Sequence, residues 1–151
     1  MVFEDYRPSE EFPFEAVTEI WGEKARLPVD LNNDEEYAAA LRGYINPINT
    51  KLKWLDENRE AVIKCIIDAG MISMAEHRVG NMDGQGSFEL PISEEQFAGT
   101  LHPDEIIACC DEGHSNVTLD CYFVCSPDYF SGQRIEVFVN PDLSLYCNSV
   151  V

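Results

Sequence analysis

Six cysteines and three histidines are the first residues of this 151-residue chain to consider as nucleophiles, bases or metal ligands. The adjacent Cys109 and Cys110 lie between His102 and His114, a grouping that suggests a metal site. Because a β-strand is predicted between the two histidines, these side chains would be spread along it rather than gathered around one ion. The chain has no Cys-x₂-Cys pair, the spacing typical of structural zinc sites. We therefore predict buried free thiols, and neither a metal nor a cofactor.

Covalent catalysis would need a base beside the nucleophile, and no local signature joins a histidine to a cysteine. The sequence also contains no Gly-x-Ser-x-Gly, phosphate-loop or His-Glu-x-x-His motif. Paired carboxylates do occur, at Glu94–Glu95, Asp104–Glu105 and Asp111–Glu112. The sequence therefore leans away from an enzyme. The alternative left open is a small metal-assisted hydrolase that uses clustered acids with His102 or His114.

The carboxylates are the strongest signal in the composition. There are 28 Asp and Glu residues against 10 Lys and Arg residues, which gives a net charge of −18. Residues 79–151 contain 12 of the acids and one basic residue, Arg134. Such a surface repels nucleic acid and anionic membranes and attracts basic proteins or cations. A basic protein partner is the predicted consequence, and the competing explanation is that the charge serves solubility alone.

Eight residues are the candidates for contacts with a basic partner. Strand alternation places Glu105, Asp120 and Glu136 on one face of the predicted sheet, where we expect them to be solvated. The neighbouring Tyr129 and Phe130 lie in a loop and cannot easily both point inward, so one is a candidate exposed anchor. The full set is Glu105, Asp111, Glu112, Asp120, Asp128, Tyr129, Phe130 and Glu136.

The C-terminal third of the chain is predicted to position these side chains. From 116 to 125, five apolar residues recur at every second position, which is typical of a strand with one buried face. Three more strands are predicted at 104–110, 134–139 and 143–150, with a hairpin turn at 111–114. Together they form an antiparallel four-stranded meander.

The N-terminal part is predicted to add a β-hairpin. Apolar and polar residues alternate over 14–21 and again over 25–31, with a turn candidate between them. Because Pro28 cannot donate a backbone hydrogen bond, its strand is expected at an edge of the sheet, or to end there.

Helix signals occupy the middle of the chain. Asn33 or Asp34 can cap a first helix, and Pro47 is expected to interrupt it. Asp56 is a good cap for the next helix, and Ser93 begins a capping box for a short helix that ends near Leu101. We therefore predict a single α+β domain over 1–151, with these helices packed on one face of the sheet.

No apolar run approaches the length of a membrane span. The acidic N-terminus lacks the basic and apolar regions of a signal peptide. We therefore expect a cytoplasmic protein with reduced thiols, no nucleic acid partner and no membrane association.

Two stretches resemble a known family. Pro127–Val137, followed by a turn and a last strand, is similar to the C-terminal signature of the bacterial domain-of-unknown-function 2262 family. Leu55–Arg59, with the apolar helix after it, is similar to the helical part of that family. The resemblance covers roughly residues 50–150 and implies an α+β cytosolic protein. In such families a Gly-His pair often opens the third strand, whereas Gln133 follows Gly132 here, and the resemblance carries no activity.

Taken together, the residues predict a non-enzymatic, acidic protein-binding module. One form of such a module is an immunity protein that neutralises a basic toxin such as a nuclease, because an acidic surface steers a basic target. A structural homodimer whose charge serves only solubility is the third alternative.

Overall fold

The computed structural model describes residues 1–31, 36–81, 88–111 and 116–151, and within them six strands form one sheet with four helices. The strands are β1 (Phe14–Ile20), β2 (Glu23–Leu31), β3 (Leu101–Cys110), β4 (Val117–Cys125), β5 (Ile135–Val139) and β6 (Leu145–Val150). The helices are α1 (Tyr37–Glu57), α2 (Arg59–Asp68), α3 (Met71–Gly80) and α4 (Glu94–Thr100). A short 3₁₀ turn lies at Phe3–Asp5.

The six strands lie side by side in sequence order. All neighbours are antiparallel except β2 and β3, which run parallel. Parallel neighbours need a long crossover connection, and the four helices lie in the chain between these two strands. Helix α1 contacts β1, β2 and β4, and α2 contacts β5 and β6. The helices therefore cover one face of the sheet from edge to edge.

The predicted α+β class is confirmed, whereas the strand arrangement is corrected in detail. The four C-terminal strands are one part of a six-stranded mixed sheet, which the N-terminal hairpin joins through β2. Strand β3 begins at Leu101 rather than Asp104, because a bulge between Pro103 and Glu105 breaks the alternation visible in the sequence. Strand β6 begins at Leu145 rather than Leu143, since Leu143 has a left-handed backbone (φ 68°) in the preceding turn.

The expected edge position of Pro28 is wrong, because β2 lies between β1 and β3. Glu15, the β1 partner of Pro28, exchanges both of its backbone hydrogen bonds with Arg7 on its other side. No donor is therefore required of Pro28 toward β1. On the parallel side, the pairing with β3 skips Leu27 and Pro28 and resumes at Val29. A gap in one ladder thus accommodates the missing N–H group.

The predicted break at Pro47 is also wrong, since α1 is continuous across it. One stripe of the helix is buried on the sheet on both sides of the proline, including Leu41, Ile48 and Leu55. Tertiary packing of this stripe outweighs the local cost of the proline. The predicted caps Asn33 and Asp34 and most of the 111–114 turn lie outside the described residues.

Strand β4 is the centre of the core. Leu119, Cys121 and Phe123 are each 0% exposed, as the alternation predicts. The Phe123 ring stacks on Trp21, with the ring centroids 5.0 Å apart. Trp21 in turn contacts the end of α1, because its backbone N–H donates to Asp56 at 2.6 Å. The β1–β2 turn, the helices and β4 are therefore locked together at one point.

This packing predicts the cost of truncating Phe123. Phe123→Ala should lower the free energy of unfolding by about 3–5 kcal/mol, since it removes a fully buried ring and leaves a cavity. The matched control is Val124→Ala on the opposite face of the same strand, which should cost under about 2 kcal/mol. Urea unfolding of both variants measures the difference, and equal losses would contradict the assigned faces.

Candidate functional site

The sheet face turned away from the helices carries most of the predicted site residues, and we call it the open face. Strand register arranges its side chains in rows that cross the sheet. The polar row consists of Val17, Arg26, Glu105, Tyr122 and Glu136. The apolar row, next to it, consists of Ile107, Asp120, Phe138 and Tyr146. Glu105, Asp120 and Glu136 are therefore brought together, as their alternation predicts.

Two arginines form ion pairs with carboxylates at the open face. Arg26 contacts Glu15 at 2.6 Å and Glu105 at 2.7 Å. The hydrogen bond from Arg26 is the main reason that the pKa of Glu15 lies below its usual value. Arg134 contacts Asp104 at 3.0 Å and reaches the second oxygen of Glu105 at 3.4 Å. Glu105 is thus held between two guanidinium groups.

The expected solvation of these acids is wrong for two of the three. Glu105 and Glu136 are each only 7% exposed, and Asp120 is partly buried. Each carboxylate is surrounded by the side chains of its own and neighbouring strands. Burial of this kind is tolerated because arginine, tyrosine or asparagine groups donate hydrogen bonds to them.

Asp120, Tyr122, Glu136 and Asn148 form a hydrogen-bonded chain. The Tyr122 hydroxyl oxygen lies 3.0 Å from Asp120 Oδ2 and 2.7 Å from Glu136 Oε2. The Asn148 side-chain amide donates to Glu136 Oε1 at 2.7 Å. Asp120 Oδ1 is buried and has no hydrogen-bond partner in the described structure. Glu136 is therefore well supplied with donors, and Asp120 is not.

This difference separates the pKa values of the two carboxyl groups. Burial, followed by the hydrogen bond and the charge of Glu136, raises the pKa of Asp120 to about 7. Burial acts in the same direction on Glu136, but its interactions with Asp120, Tyr122 and Asn148 outweigh it and lower the pKa. The two shifts have opposite signs, so below about pH 7 the proton of the pair is placed on Asp120 and the negative charge on Glu136.

Tyr129 and Phe130 are corrected as candidate anchors, because both are buried, at 5% and 1% exposed. The Tyr129 ring stacks on Phe97 with the centroids 6.0 Å apart, and the Arg78 guanidinium lies 5.8 Å from the Phe130 ring centre. Left-handed backbone at Ser131 and Gly132 folds the loop back, so both rings tuck over the sheet.

Two of the remaining predicted site residues, Asp128 and Asp111, lie outside the strands of the sheet. Asp128 is exposed, and its carboxylate accepts backbone hydrogen bonds from Phe130 and Gly132, which makes it a loop-forming residue. Asp111 is exposed at the end of β3, where its carbonyl accepts the Tyr44 hydroxyl. Glu112 lies outside the described residues.

The cysteines occupy buried or half-buried positions, as small apolar residues do. All six are free thiols, and Cys110, Cys121 and Cys125 are buried. Burial raises the pKa of Cys110 to about 12 and that of Cys125 to about 11, which keeps both thiols protonated.

Of the two histidines in the hydrolase alternative, His102 is described, and it lies apart from Asp120 on the open face. His102 Nδ1 lies 2.9 Å from Glu23 and pairs across the strands with Val124. Val124 is four residues from Asp120 along β4, or roughly 13 Å. Across the described ranges, no group of three or more His, Cys, Asp and Glu side chains is arranged to hold a metal ion. His114 lies outside those ranges.

Sequence reasoning missed the residues that organise the open face. Arg26 and Arg134 lie 108 positions apart, and no local pattern shows that both bind Glu105. Asn148 and Tyr146 were likewise not singled out. Their alternation along the predicted last strand is the available signal, but it assigns these side chains to a face of the sheet and does not show which residues they contact.

The comparisons with known proteins add no relative. No protein-family model matches the chain, and no match was found among curated proteins or solved structures. The resemblance to the domain-of-unknown-function 2262 family therefore stays a prediction. No helix in the described ranges has the length and apolar character needed to cross a membrane.

The proton on Asp120 predicts a pH-dependent stability. Asp120 should stay protonated in the folded chain up to about pH 7 but ionise near pH 4 when unfolded. Wild type should therefore lose stability relative to Asp120→Asn as the pH rises from about 4 to about 7, and keep that deficit above it. Urea unfolding across this range measures the difference. A difference that is constant with pH would contradict the assignment.

The buried thiols predict slow modification. Cys121 should react with a maleimide only after unfolding, since its side chain is inaccessible and burial raises its pKa. Cys65 and Cys147 are half-buried and should be modified earlier. Site-resolved mass spectrometry of a labelling time course tests this order, and rapid labelling of Cys121 in the native chain would overturn it.

Proposed function

We propose that this chain is a non-enzymatic, acidic protein-binding module whose partner is a basic protein. One form of such a module is an immunity protein that neutralises a basic toxin such as a nuclease. The observation that carries the proposal is that most Lys and Arg side chains form ion pairs, hydrogen bonds or ring contacts within the chain. The surface therefore keeps a large excess of carboxylates.

Ion pairs engage four of the ten basic residues in the described structure. Their carboxylate contacts range from 2.5 to 3.9 Å, and the residues are Arg26, Lys53, Lys64 and Arg134. Lys51 is buried, and its ammonium donates to the carbonyl of Pro141 at 2.8 Å. Little positive charge is left to face a partner.

Aromatic rings engage three further arginines. These are Arg42 on Phe3, Arg59 on Trp21 and Arg78 on Phe130, with the guanidinium carbon 3.8 to 5.8 Å from the ring centre. A cation held in this way is less free to pair with a ligand. The exposed carboxylates of α1, α2, α4 and the N-terminal segment therefore set the sign of the outward field.

A field of this sign favours one class of macromolecular partner. It repels nucleic acid and anionic lipid, and it accelerates encounter with a basic protein, most strongly at low ionic strength. It also opposes a second copy of the same chain, because both copies carry −18 charges. A basic partner is therefore better supported than self-association.

The test is capture of a partner from a cell extract at low ionic strength, with release by rising salt. The recovered protein is identified, purified and mixed with the chain while association rates are measured at two ionic strengths. Neutralising three exposed acids should slow association several-fold at low salt and flatten its salt dependence. The acids are Glu10, Glu19 and Glu60.

The control replaces three exposed neutral residues by glutamine, which leaves the net charge unchanged. They are Asn46, Ser73 and Asn116. Both triple variants should keep the fold, since all six side chains are exposed. Recovery of no basic protein, or equal association rates for the acidic variant and the control, would overturn the proposal.

A further inference from the structure

We infer that the open face is the surface that receives the basic partner, and that a single proton held between Asp120 and Glu136 adjusts its affinity. The occupant is a segment of a basic protein that places an apolar side chain between lysines or arginines. The inference rests on the proposed function and names the surface, the partner segment and the regulation.

The apolar row provides the contact for the apolar side chain. Phe138 and Tyr146 stack with their ring centroids 6.4 Å apart, and Ile107 continues the row two strands away. Tyr146 is 57% exposed, although large aromatic residues are commonly buried. No described helix covers this side of the sheet, so the row is accessible to a partner.

Charge complementarity identifies the partner as basic. Arg26 of the polar row and Arg134, just before β5, are already bound to three carboxylates, Glu15, Asp104 and Glu105. Glu136 adds a further negative charge beside them, and its nearest donors are the neutral Tyr122 and Asn148. An incoming lysine or arginine therefore meets an excess of carboxylates, whereas an acidic segment would meet no free cation in either row.

Donor counting requires a proton in the Asp120–Glu136 pair. The Tyr122 hydroxyl has one hydrogen, yet its oxygen lies within hydrogen-bonding range of both carboxyl groups. The contacts are satisfied together when protonated Asp120 donates to the Tyr122 oxygen and Tyr122 donates to Glu136. Asp120 lies between Ile107 and Phe138 in the apolar row, which favours its neutral form.

The groups that face Asp120 come from every neighbouring strand. Glu105 and Cys109 lie on β3, Tyr122 on β4 and Glu136 on β5. Arg134, immediately before β5, lies 4.2 Å from the centre of the Tyr122 ring. The thiol of Cys109 stays protonated, since burial raises its pKa to about 12. Glu105 and Arg134 are ion-paired. Loss of the Asp120 proton therefore adds one negative charge in the middle of the face.

The test uses short fluorescent peptides as defined probes. One alternates lysine with leucine, a second alternates lysine with serine, and a third alternates glutamate with leucine. Binding to the full chain is measured by fluorescence anisotropy near pH 6 and near pH 8, on either side of the Asp120 transition. The lysine–leucine peptide should bind tightest and about fivefold more tightly at the higher pH, as one added charge implies.

Three variants locate the effect. Tyr146→Ala should weaken binding of the lysine–leucine peptide, and its control is Tyr37→Ala, an exposed tyrosine (42%) on α1 in the helical layer. Asp120→Asn should abolish the pH dependence and keep the weaker affinity.

Failure of this inference can be told apart from failure of the proposed function. If the peptide binds but Tyr146→Ala matches Tyr37→Ala, or Asp120→Asn retains the pH dependence, the open-face inference is overturned and a basic partner remains supported. If the lysine–leucine peptide binds no better than the glutamate–leucine peptide, both fail. Carbon-13 NMR of the Asp120 carboxyl gives a partner-independent readout, and a group ionised throughout the range would refute the shared proton.

Discussion

The parallel pairing of β2 with β3 decides which side of this sheet is covered. Adjacent parallel strands cannot be joined by a tight turn, so the chain between Leu31 and Leu101 has to cross the sheet. It does so as helices that bury the apolar side of β4. The remaining antiparallel strands need only short turns, which leave the opposite side open. One layer of helices on one face of the sheet follows from that single pairing.

The open face contains carboxylates that lie close enough to repel one another. Its strands place several carboxylates at neighbouring positions, and crowded like charges destabilise a sheet. Two features of the structure reduce this repulsion. Arg26 and Arg134 neutralise the Glu105 end, whereas Asp120 escapes repulsion from Glu136 by keeping a proton. The same face thus contains compensated charge, a titratable carboxyl group and an aromatic pair of which Tyr146 is exposed.

Composition and structure support the same kind of function. The net charge indicates what the chain attracts, and the internal engagement of its cations explains why that charge is not neutralised locally. A shallow, open, acidic face with an apolar row suits a protein surface better than a small substrate, because small-molecule sites are concave and enclosing. Under the function proposed above, stability and recognition share the same residues on β3, β4 and β5.

The sequence alone determined the elements with strong local patterns. The alternation of β4 placed Phe123 inside, and the capping residue Ser93 started α4 where predicted. It also determined the sign of the surface charge. Only the tertiary structure decided that Glu105 is buried between two distant arginines and that the pKa of Asp120 is raised. Alternation assigns a side chain to a face, but burial, partners and pKa depend on which strands become neighbours and in what register, and that is settled by contacts far apart in the chain.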